Sequence, residues 1–395
     1  MSLYIIVWGL LCLFAAKGAL VQERRTTARA EFWLCFLLLA GMLALRYGQG
    51  TDYFSYQEYY YMMSDTGFNF PLSDVHGEIG YQFLTNAFRL LHLPYEALVF
   101  FLSVLQMGFL LAFFKRYHID CVLALLLAVP TLYMTYFVSG MRQGVVLAAF
   151  LGVLFPLLEK KRYLAYLAGT LLCMLMHTVA AVFLLALLAQ LVPKVSTLRL
   201  LTLAAWLAGS VVALPATQAW IHSLGIWALR YYLGSVGISW AAVAERLLFL
   251  ALVTWLYEKL RRQGRLNDAF VLGYRCYLVA MALYGALIAN GTTASRMASG
   301  MRYIEIYLLI YAAQQMTRAG RCLLVAALIA VQSFMYVKNI HTYLNQGAYR
   351  ADLTVWTYPY VSVFNEEEIY QYRDVPQESS STEGPQPAAA GQRQA

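Results

Sequence analysis

The chain is poor in charge. Asp, Glu, Lys and Arg make up 13% of its 395 residues, whereas soluble domains carry about 25%. Hydrophobic residues make up 61%, and the mean hydropathy is +0.57. This composition excludes an ordinary soluble domain. It predicts an all-α polytopic integral membrane protein, in which runs of about 20 apolar residues cross the bilayer as helices.

Cysteine is also scarce, and its placement excludes two kinds of small domain. The six cysteines lie within or at the edges of apolar runs and have no paired spacing in any loop. Neither a disulfide framework nor a zinc site is therefore predicted. No basic residue precedes the first apolar run, which indicates a first helix that starts outside the cell rather than a cleaved signal.

About 11 apolar runs are candidates for membrane segments. They cover residues 3–21, 31–45, 96–114, 120–138, 143–158, 163–191, 200–220, 241–257, 269–289, 300–317 and 322–340. The net charge of +8 could indicate a nucleic-acid partner. Its basic residues cluster between the runs, however, which favours a role in membrane topology.

The run 163–191 is exceptional. It has no formal charge, and as one straight helix it would be about 43 Å long against a hydrocarbon core of about 30 Å. If it crosses once, every later basic cluster falls outside the cell. One extra reversal returns all of these clusters to the cytoplasm, as the positive-inside rule prefers. We therefore expect a broken helical hairpin whose apex lies near His177 and lines a site.

This topology makes residues 46–95 a long first extracytoplasmic loop. Within it, Ile79, Phe83 and Leu90 recur at helical spacing opposite Gln82 and Asn86. The pattern predicts an amphipathic helix lying in the membrane interface.

The chain is expected to divide into three parts. Residues 1–340 form the transmembrane domain with the first loop included, and residues 341–376 form an extracytoplasmic C-terminal segment. Residues 377–395 are rich in Ser, Pro, Gln and Ala, which predicts a disordered tail. Both termini are predicted to be extracytoplasmic.

Polar residues gather on the predicted outer side. The stretch RYGQGTDYFSYQEYYY, which begins at Arg46, combines tyrosines with Asp52 and Glu58, as expected for a surface that stacks and hydrogen-bonds sugars. Arginines converge there from several segments, and their planar forks suit a diphosphate. The outer-side candidates are Arg46, Asp52, Tyr53, Glu78, Arg142, Gln143, His177, Arg296 and Arg302.

Each candidate also has a purely structural interpretation. Arg46 could extend to the lipid headgroups, and the tyrosines could form an aromatic belt. Arg302 could pair with Glu305 three residues later. His177 could be a packing residue, although a histidine at a helix break can also act as a general base. The acidic residues match no defined cation loop, so no metal and no cofactor are predicted.

Several short motifs resemble one known family. They are RYGQGTDYFSY near Arg46, EIGYQFL from Glu78, SGMRQGVVLA from Ser139, MHTVAAVFLL from Met176, SRMASGMRYIEIY from Ser295 and YPYVSVF from Tyr358. Their order resembles the EpsG family, which is related in role to the Wzy polymerases of O-antigen, capsule and exopolysaccharide synthesis. The resemblance covers residues from about 40 to 365.

The resemblance implies a glycosyltransferase of the bacterial cytoplasmic membrane. It would transfer a growing glycan from undecaprenyl diphosphate to a lipid-linked repeat unit on the outer face, working beside a flippase and a chain-length regulator. His177 or Asp52 would be the base, and Arg142 would stabilise the leaving diphosphate. Arg46, Tyr53, Glu78, Gln143, Arg296 and Arg302 would bind the diphosphate or glycan.

Two other functions remain open from the sequence. A metal-dependent polyprenyl-phosphate-sugar transferase would use Asp52 and Glu78 as cation ligands. A flippase or exporter of lipid-linked oligosaccharide would need a polar path to the cytoplasmic side.

Overall fold

The structure is a computed structural model that describes residues 2–21, 25–68, 77–192, 194–234 and 237–374. Within these ranges it is all-α and contains no strand. Nine helical segments in the described chain are long and apolar enough to cross a membrane. The protein is therefore a multi-pass membrane protein, as its composition predicts.

The membrane-crossing segments span most of the chain. They are α1 (Leu3–Leu20), α2 (Arg25–Ala44), α5 (Tyr95–Arg116), α6 (Val122–Ala128) with a π-helical continuation (Val129–Ser139), α7 (Met141–Ala149) continuing through a π-helical turn (Phe150–Leu154) into α8 (Phe155–Glu159), α11 (Val195–Val212), α14 (Trp240–Arg262), α15 (Asp268–Ala286) and α18 (Arg318–Gln346). Gly140 alone separates two of these segments, so a tight turn joins them.

Shorter helices fill the connections. They are α3 (Tyr53–Met62), α4 (Ile79–Leu90), α9 (Tyr163–Met176), a 3₁₀-helix (Thr178–Leu187) followed by α10 (Leu188–Leu191), α12 (Pro215–Ser223), α13 (Trp227–Leu233), α16 (Gly291–Arg302), α17 (Glu305–Gln314), a 3₁₀-turn (Glu366–Glu368) and α19 (Ile369–Tyr372).

The broken hairpin in the run 163–191 is confirmed. His177 is extended, with φ −161° and ψ 124°, and separates α9 from the 3₁₀-helix. The two arms are tied together because the Tyr166 hydroxyl donates a hydrogen bond to the Phe183 carbonyl. At the break, Gly80 of α4 packs so closely that a Cβ atom there would lie 2.7 Å from the Leu175 carbonyl oxygen. The hairpin apex therefore lies against the first loop.

The amphipathic helix of the first loop is α4, and its polar face points inward. Gln82 and Asn86 are fully buried, whereas about half of the surface of Ile79 and Phe83 is exposed. Asn86 Nδ2 and Gln82 Nε2 donate to carbonyls of their own loop. The exposed apolar face is therefore the one available to lipid.

The interval 290–299 between two of the predicted apolar runs is helical rather than a simple connection. Asn290 caps a helix there, because its side chain accepts a hydrogen bond from the Thr293 N–H at 3.1 Å, and α16 starts at Gly291. The predicted run 300–317 is likewise interrupted at Tyr303 and Ile304. The apolar pattern missed α16 because that helix is rich in Ser, Thr and Gly.

The C-terminal segment folds back onto the first loop. The Tyr47 N–H donates to the Val361 carbonyl, and the Val363 N–H donates to the Leu45 carbonyl, both at 2.9 Å. The helix before this segment runs on to Gln346, past the predicted boundary at residue 341. The tail predicted at 377–395 lies outside the described residues.

Candidate functional site

A cavity of about 400 Å³ opens where the first loop meets four helix ends. Its wall comprises residues 51 and 52 before α3, the turn at Ser139 and Gly140, the starts of α14 and α16, and the last turns of α18. The cavity is thus built from segments that are remote in sequence. Five charged side chains line it, namely Asp52, Arg246, Arg296, Arg302 and Lys338.

Two of the cavity arginines are neutralised by buried glutamates. Arg302 contacts Glu245 at 2.6 Å and Glu305 at 3.2 Å, and Arg246 also pairs with Glu245. All four side chains are at most 7% exposed. Since two cations meet two anions, this network contributes no net charge to the cavity, and it ties α14 to α16 and α17.

The other two cations are not neutralised in this way. Among the residues that the structure describes, neither the Lys338 ammonium nor the Arg296 guanidinium has a hydrogen-bond or ion-pair partner. Lys338 is partly buried within a membrane helix, where an unpaired charge is costly and commonly marks a functional site, whereas Arg296 is exposed. Since Asp52 is the one carboxylate in its described lining, the cavity has an excess of positive charge from Lys338 and Arg296.

A strained turn positions Asp52. Gly48 and Gly50 have φ values of +63° and +88°, which residues with a Cβ rarely adopt. A Cβ at Gly50 would also lie 2.9 Å from the Val138 carbonyl oxygen. The Thr51 N–H then donates to Ser139 Oγ at 3.1 Å, and Thr51 Oγ1 donates to Asp52 Oδ1 at 2.7 Å. The carboxylate is thus held against the turn at Ser139.

A second cluster joins the first loop to the hairpin apex. Arg142 Nη1 donates to Glu78 Oε2 at 2.9 Å. Glu78 Oε1 accepts from the Thr178 N–H at 2.8 Å and the Thr178 hydroxyl at 3.1 Å, and lies 3.9 Å from His177 Nδ1. Three predicted site residues, Glu78, Arg142 and His177, therefore meet at one point.

Aromatic rings enclose the Arg142 guanidinium. Its Cζ lies 5.3 Å from the centre of the Tyr56 ring and 5.2 Å from that of Tyr81, and Arg142 Nε donates to the Tyr56 hydroxyl at 3.4 Å. Burial raises the pKa of the Tyr56 phenol, and the nearby Arg142 charge offsets part of that rise. Tyr56 therefore remains a neutral hydrogen-bonding group at physiological pH.

His177 has a capping geometry. The Val179 N–H donates to His177 Nδ1 at 3.1 Å, so the histidine is the N-cap of the 3₁₀-helix. This bond occupies the Nδ1 lone pair, and the neutral ring then carries its proton on Nε2. In this arrangement His177 has no free lone pair with which to accept a proton.

The two clusters are adjacent through the start of α7. Gln143 lines the cavity, and its Nε2 donates to the Arg296 carbonyl at 3.1 Å and to Ser299 Oγ at 3.2 Å. Arg142, the preceding residue, belongs to the second cluster. Gln143 therefore fixes α16, and with it Arg296, relative to the hairpin apex.

A comparison with protein families identifies the family of the chain. The family model described as "EpsG family" matches residues 30–354, which is most of the chain. The chain belongs to the EpsG family. No curated protein and no solved structure matches it. Membership associates the chain with polysaccharide polymerisation, and so with glycosyltransferase-like chemistry, in general terms.

Three predicted binding residues of this EpsG-family chain do not line the cavity, namely Glu78 of the second cluster, Arg46 and Tyr53. Arg46 is 1% exposed and donates to the carbonyls of Leu43 and Phe137 and to Ser103 Oγ. Tyr53 is also buried, with its hydroxyl 3.5 Å from Glu96. Neither residue lines the cavity. Their contacts instead hold α2, α3 and α5 together.

Lys338 is not among the site residues predicted from the sequence. It is the only charged residue in the apolar run 322–340, and that signal could have drawn attention to it. Within the described chain, no group of three or more His, Cys, Asp or Glu residues is placed to hold a metal ion.

Proposed function

We propose that this protein is a polysaccharide polymerase that transfers a growing glycan from undecaprenyl diphosphate to a lipid-linked repeat unit at the outer face of the cytoplasmic membrane. One observation carries the proposal. The cavity is lined by Arg296 and Lys338, which have no hydrogen-bond or ion-pair partner among the described residues, and by the carboxylate of Asp52. The cations would stabilise a diphosphate leaving group, and the carboxylate would accept the proton of an acceptor hydroxyl.

The cations stabilise the leaving group. In the proposed step the acceptor hydroxyl oxygen attacks the anomeric carbon, and the bond between that carbon and the diphosphate oxygen breaks. The bonding electron pair stays on the diphosphate, whose charge increases. Preorganised cations beside the leaving group lower the barrier for such a charge. Arg296 and Lys338 carry this role, because Arg246 and Arg302 are already neutralised by glutamates.

Asp52 is the proposed base. It takes the proton of the acceptor hydroxyl as the new glycosidic bond forms. Geometry favours it over His177, whose Nδ1 accepts a backbone hydrogen bond. In this mechanism His177, Glu78 and Arg142 keep the hairpin apex and the first loop in place, and Gln143 positions the segment that carries Arg296.

The partners and orientation belong to the same proposal. The substrate is an undecaprenyl-diphosphate-linked oligosaccharide reached from the membrane lipid, so the enzyme works downstream of a flippase and beside a chain-length regulator. The positive-inside rule places the basic loops in the cytoplasm, and both termini and the cavity on the opposite side.

The test uses a strain that lacks the gene, complemented with full-length variants at matched membrane levels. We expect Asp52→Asn to lower polymer formation by about 10²- to 10⁴-fold, and Arg296→Ala combined with Lys338→Ala to do the same. Asp65→Asn is the matched control, because Asp65 lies in the same loop but is half exposed and pairs with Arg89. Arg230→Ala controls for loss of an exposed arginine.

The readout is a gel profile of lipid-linked and surface glycan. Accumulation of single lipid-linked units on the outer leaflet, with no long polymer, supports the polymerase. Units trapped on the cytoplasmic leaflet would show that the protein is a flippase. Normal polymer from Asp52→Asn would remove Asp52 as the base.

A further inference from the structure

The C-terminal segment, residues 347–374, contains one deeply buried arginine. Arg373 is 4% exposed, and it lies beyond residue 354, where the match to the family ends. Its guanidinium lies over the rings of Phe54 at 5.1 Å and Tyr349 at 4.9 Å. An arginine buried at a loop contact, outside the family-matched region, needs an explanation of its own.

Arg373 contacts the turn from which Asp52 emerges. Its Nη1 donates to the Gly48 carbonyl at 2.5 Å and the Gly50 carbonyl at 3.0 Å, while its Nε donates to the Gly347 carbonyl at 2.6 Å. One guanidinium thus connects the end of α18, the C-terminal segment and the glycine turn of the first loop. The two carbonyls belong to the residues of the turn that have positive φ.

The chain continues directly from this turn into the cavity. Thr51 follows Gly50, and its side chain contacts both Ser139 Oγ and Asp52 Oδ1. A change in the turn would therefore move the carboxylate, since only one residue separates Gly50 from Asp52.

We propose that Arg373 is a positioning residue, which holds the Gly48–Gly50 turn so that Asp52 faces the cavity. The proposal rests on the proposed function only in naming Asp52 as the base. It makes the C-terminal segment a working part of the site, although Arg373 itself touches no substrate. Lysine cannot replace it, because a single ammonium lacks the planar fork that reaches three carbonyls and lies flat on two rings.

The first test measures the turn directly and needs no turnover. Thr51→Cys and Ser139→Cys are introduced together, because the two hydroxyl oxygens are 2.5 Å apart. After mild oxidation of the full-length protein, a maleimide mass tag counts the free thiols, and a disulfide reduces the count by two over the native cysteines. We expect the disulfide to form readily with Arg373 present, and about tenfold more slowly with Arg373→Ala or Arg373→Lys.

Arg350→Ala is the matched control. Arg350 lies in the same segment but is exposed, and the only described hydrogen bond of its side chain is a long one to the Tyr370 carbonyl. It should leave disulfide formation unchanged. All variants are compared as monodisperse protein, and Arg373→Lys keeps the charge and the alkyl stem, so that folding is preserved. Disulfide formation at the native rate in Arg373→Lys and Arg373→Ala would overturn the proposal, as would an equal loss in Arg350→Ala.

The second test measures kinetics with native thiols, using lipid-linked repeat units extracted from the gene-deletion strain. A positioning role predicts that Arg373→Lys lowers kcat by about 10- to 100-fold, because small misplacements of a reacting group are costly, while KM stays nearly constant. An unchanged kcat would overturn the role in catalysis. Since the disulfide test is independent of activity, failure of the polymerase proposal and failure of the positioning proposal are distinguishable.

Discussion

The charged residues at this site have different roles, depending on whether a neighbouring opposite charge neutralises them. The sequence predicts that Arg302 binds the diphosphate or glycan, but Arg302 contacts Glu245 and Glu305. Arg142 contacts Glu78. Lys338 and Arg296 have no such partner in the described chain. Individual residues therefore divide into those that hold the structure and those that are free to meet an anion.

His177 offers a sharp test of this division. His177→Asn should retain polymer formation, because asparagine is a strong N-cap whose side-chain oxygen can accept the Val179 N–H. His177→Ala should lower the stability by about 1 kcal/mol through loss of the cap. Thermal unfolding of the detergent-solubilised protein measures the second effect, and the glycan profile the first. A stable but inactive His177→Asn variant would instead make the imidazole a chemical group.

Arg142 should tolerate no lysine. The side chain pairs with Glu78 at 2.9 Å and lies between Tyr56 and Tyr81, and a lysine cannot stack and donate in this way. We expect Arg142→Lys to lose polymer as Arg142→Ala does. Because Glu78 and Arg142 act as one unit, Arg142→Ala with Glu78→Gln should be little worse than either change alone. The glycan profile measures all four.

Arg89→Ala is the control for that series. Arg89 lies in the same loop, where it pairs with the half-exposed Asp65 at 3.6 Å. Its guanidinium also donates to the Met63 carbonyl at 3.3 Å and lies over the rings of Tyr60 and Tyr61. Because these contacts do not include Glu78, Arg142 or a residue that lines the cavity, polymer formation should be unaffected. Additive losses in the double variant at positions 78 and 142 would contradict the proposed unit.

At the scale of elements, close backbone contact holds α11 against α15. A Cβ at Gly209 would lie 1.9 Å from the Gly285 carbonyl oxygen, so Gly209→Ala must push the two helices apart. Overpacking of this kind costs about 1–3 kcal/mol, and we expect a lower midpoint of thermal unfolding. Gly41→Ala is the control, because a Cβ there meets nothing within 4 Å and alanine favours the helix. An unchanged midpoint in Gly209→Ala would contradict the contact.

The elements differ in how far the sequence predicts them. The hairpin at 163–191 follows from length and charge alone, since a single crossing would misplace the basic loops. The π-helical stretches Val129–Ser139 and Phe150–Leu154 are not predictable in this way, because apolar runs do not distinguish one helical hydrogen-bond pattern from another. The apolar pattern also fails to predict α16, because the small polar residues of this helix are typical of loops.

The candidate site is likewise only partly predictable from the sequence. The sequence motifs predict Arg142, Gln143 and His177 as site residues, and the three lie close together through their contacts with Glu78 and α16. The structure also separates Arg46 from the cavity, which no local pattern indicates. Lys338 and Arg373 reach the first loop from the far end of the chain. This proximity arises from tertiary folding, which the pattern of a single sequence does not reveal.

At the scale of the whole molecule, the topology can be tested with single cysteines. Lys160→Cys and Lys194→Cys flank the hairpin, and Thr66→Cys lies in the first loop. A membrane-impermeant maleimide added to spheroplasts should label only Thr66→Cys, because the hairpin returns to the side from which it enters. The native cysteines are buried or half-buried, which limits background. Labelling of Lys194→Cys, with Lys160→Cys protected, would mean that 163–191 crosses once.

The distribution of charge over the whole molecule also predicts how the enzyme responds to chelators. Asp52 is the one carboxylate in the described lining of the cavity, whereas the unpaired charges there are cationic. A site of this kind would neutralise a diphosphate with its own side chains, since hard divalent cations require several oxygen ligands. We therefore expect EDTA to leave polymer formation by the purified protein unchanged, with the magnesium chelate of EDTA as the control. Loss of activity that added Mg²⁺ restores would favour the metal-dependent transferase, with Asp52 as a cation ligand rather than a base.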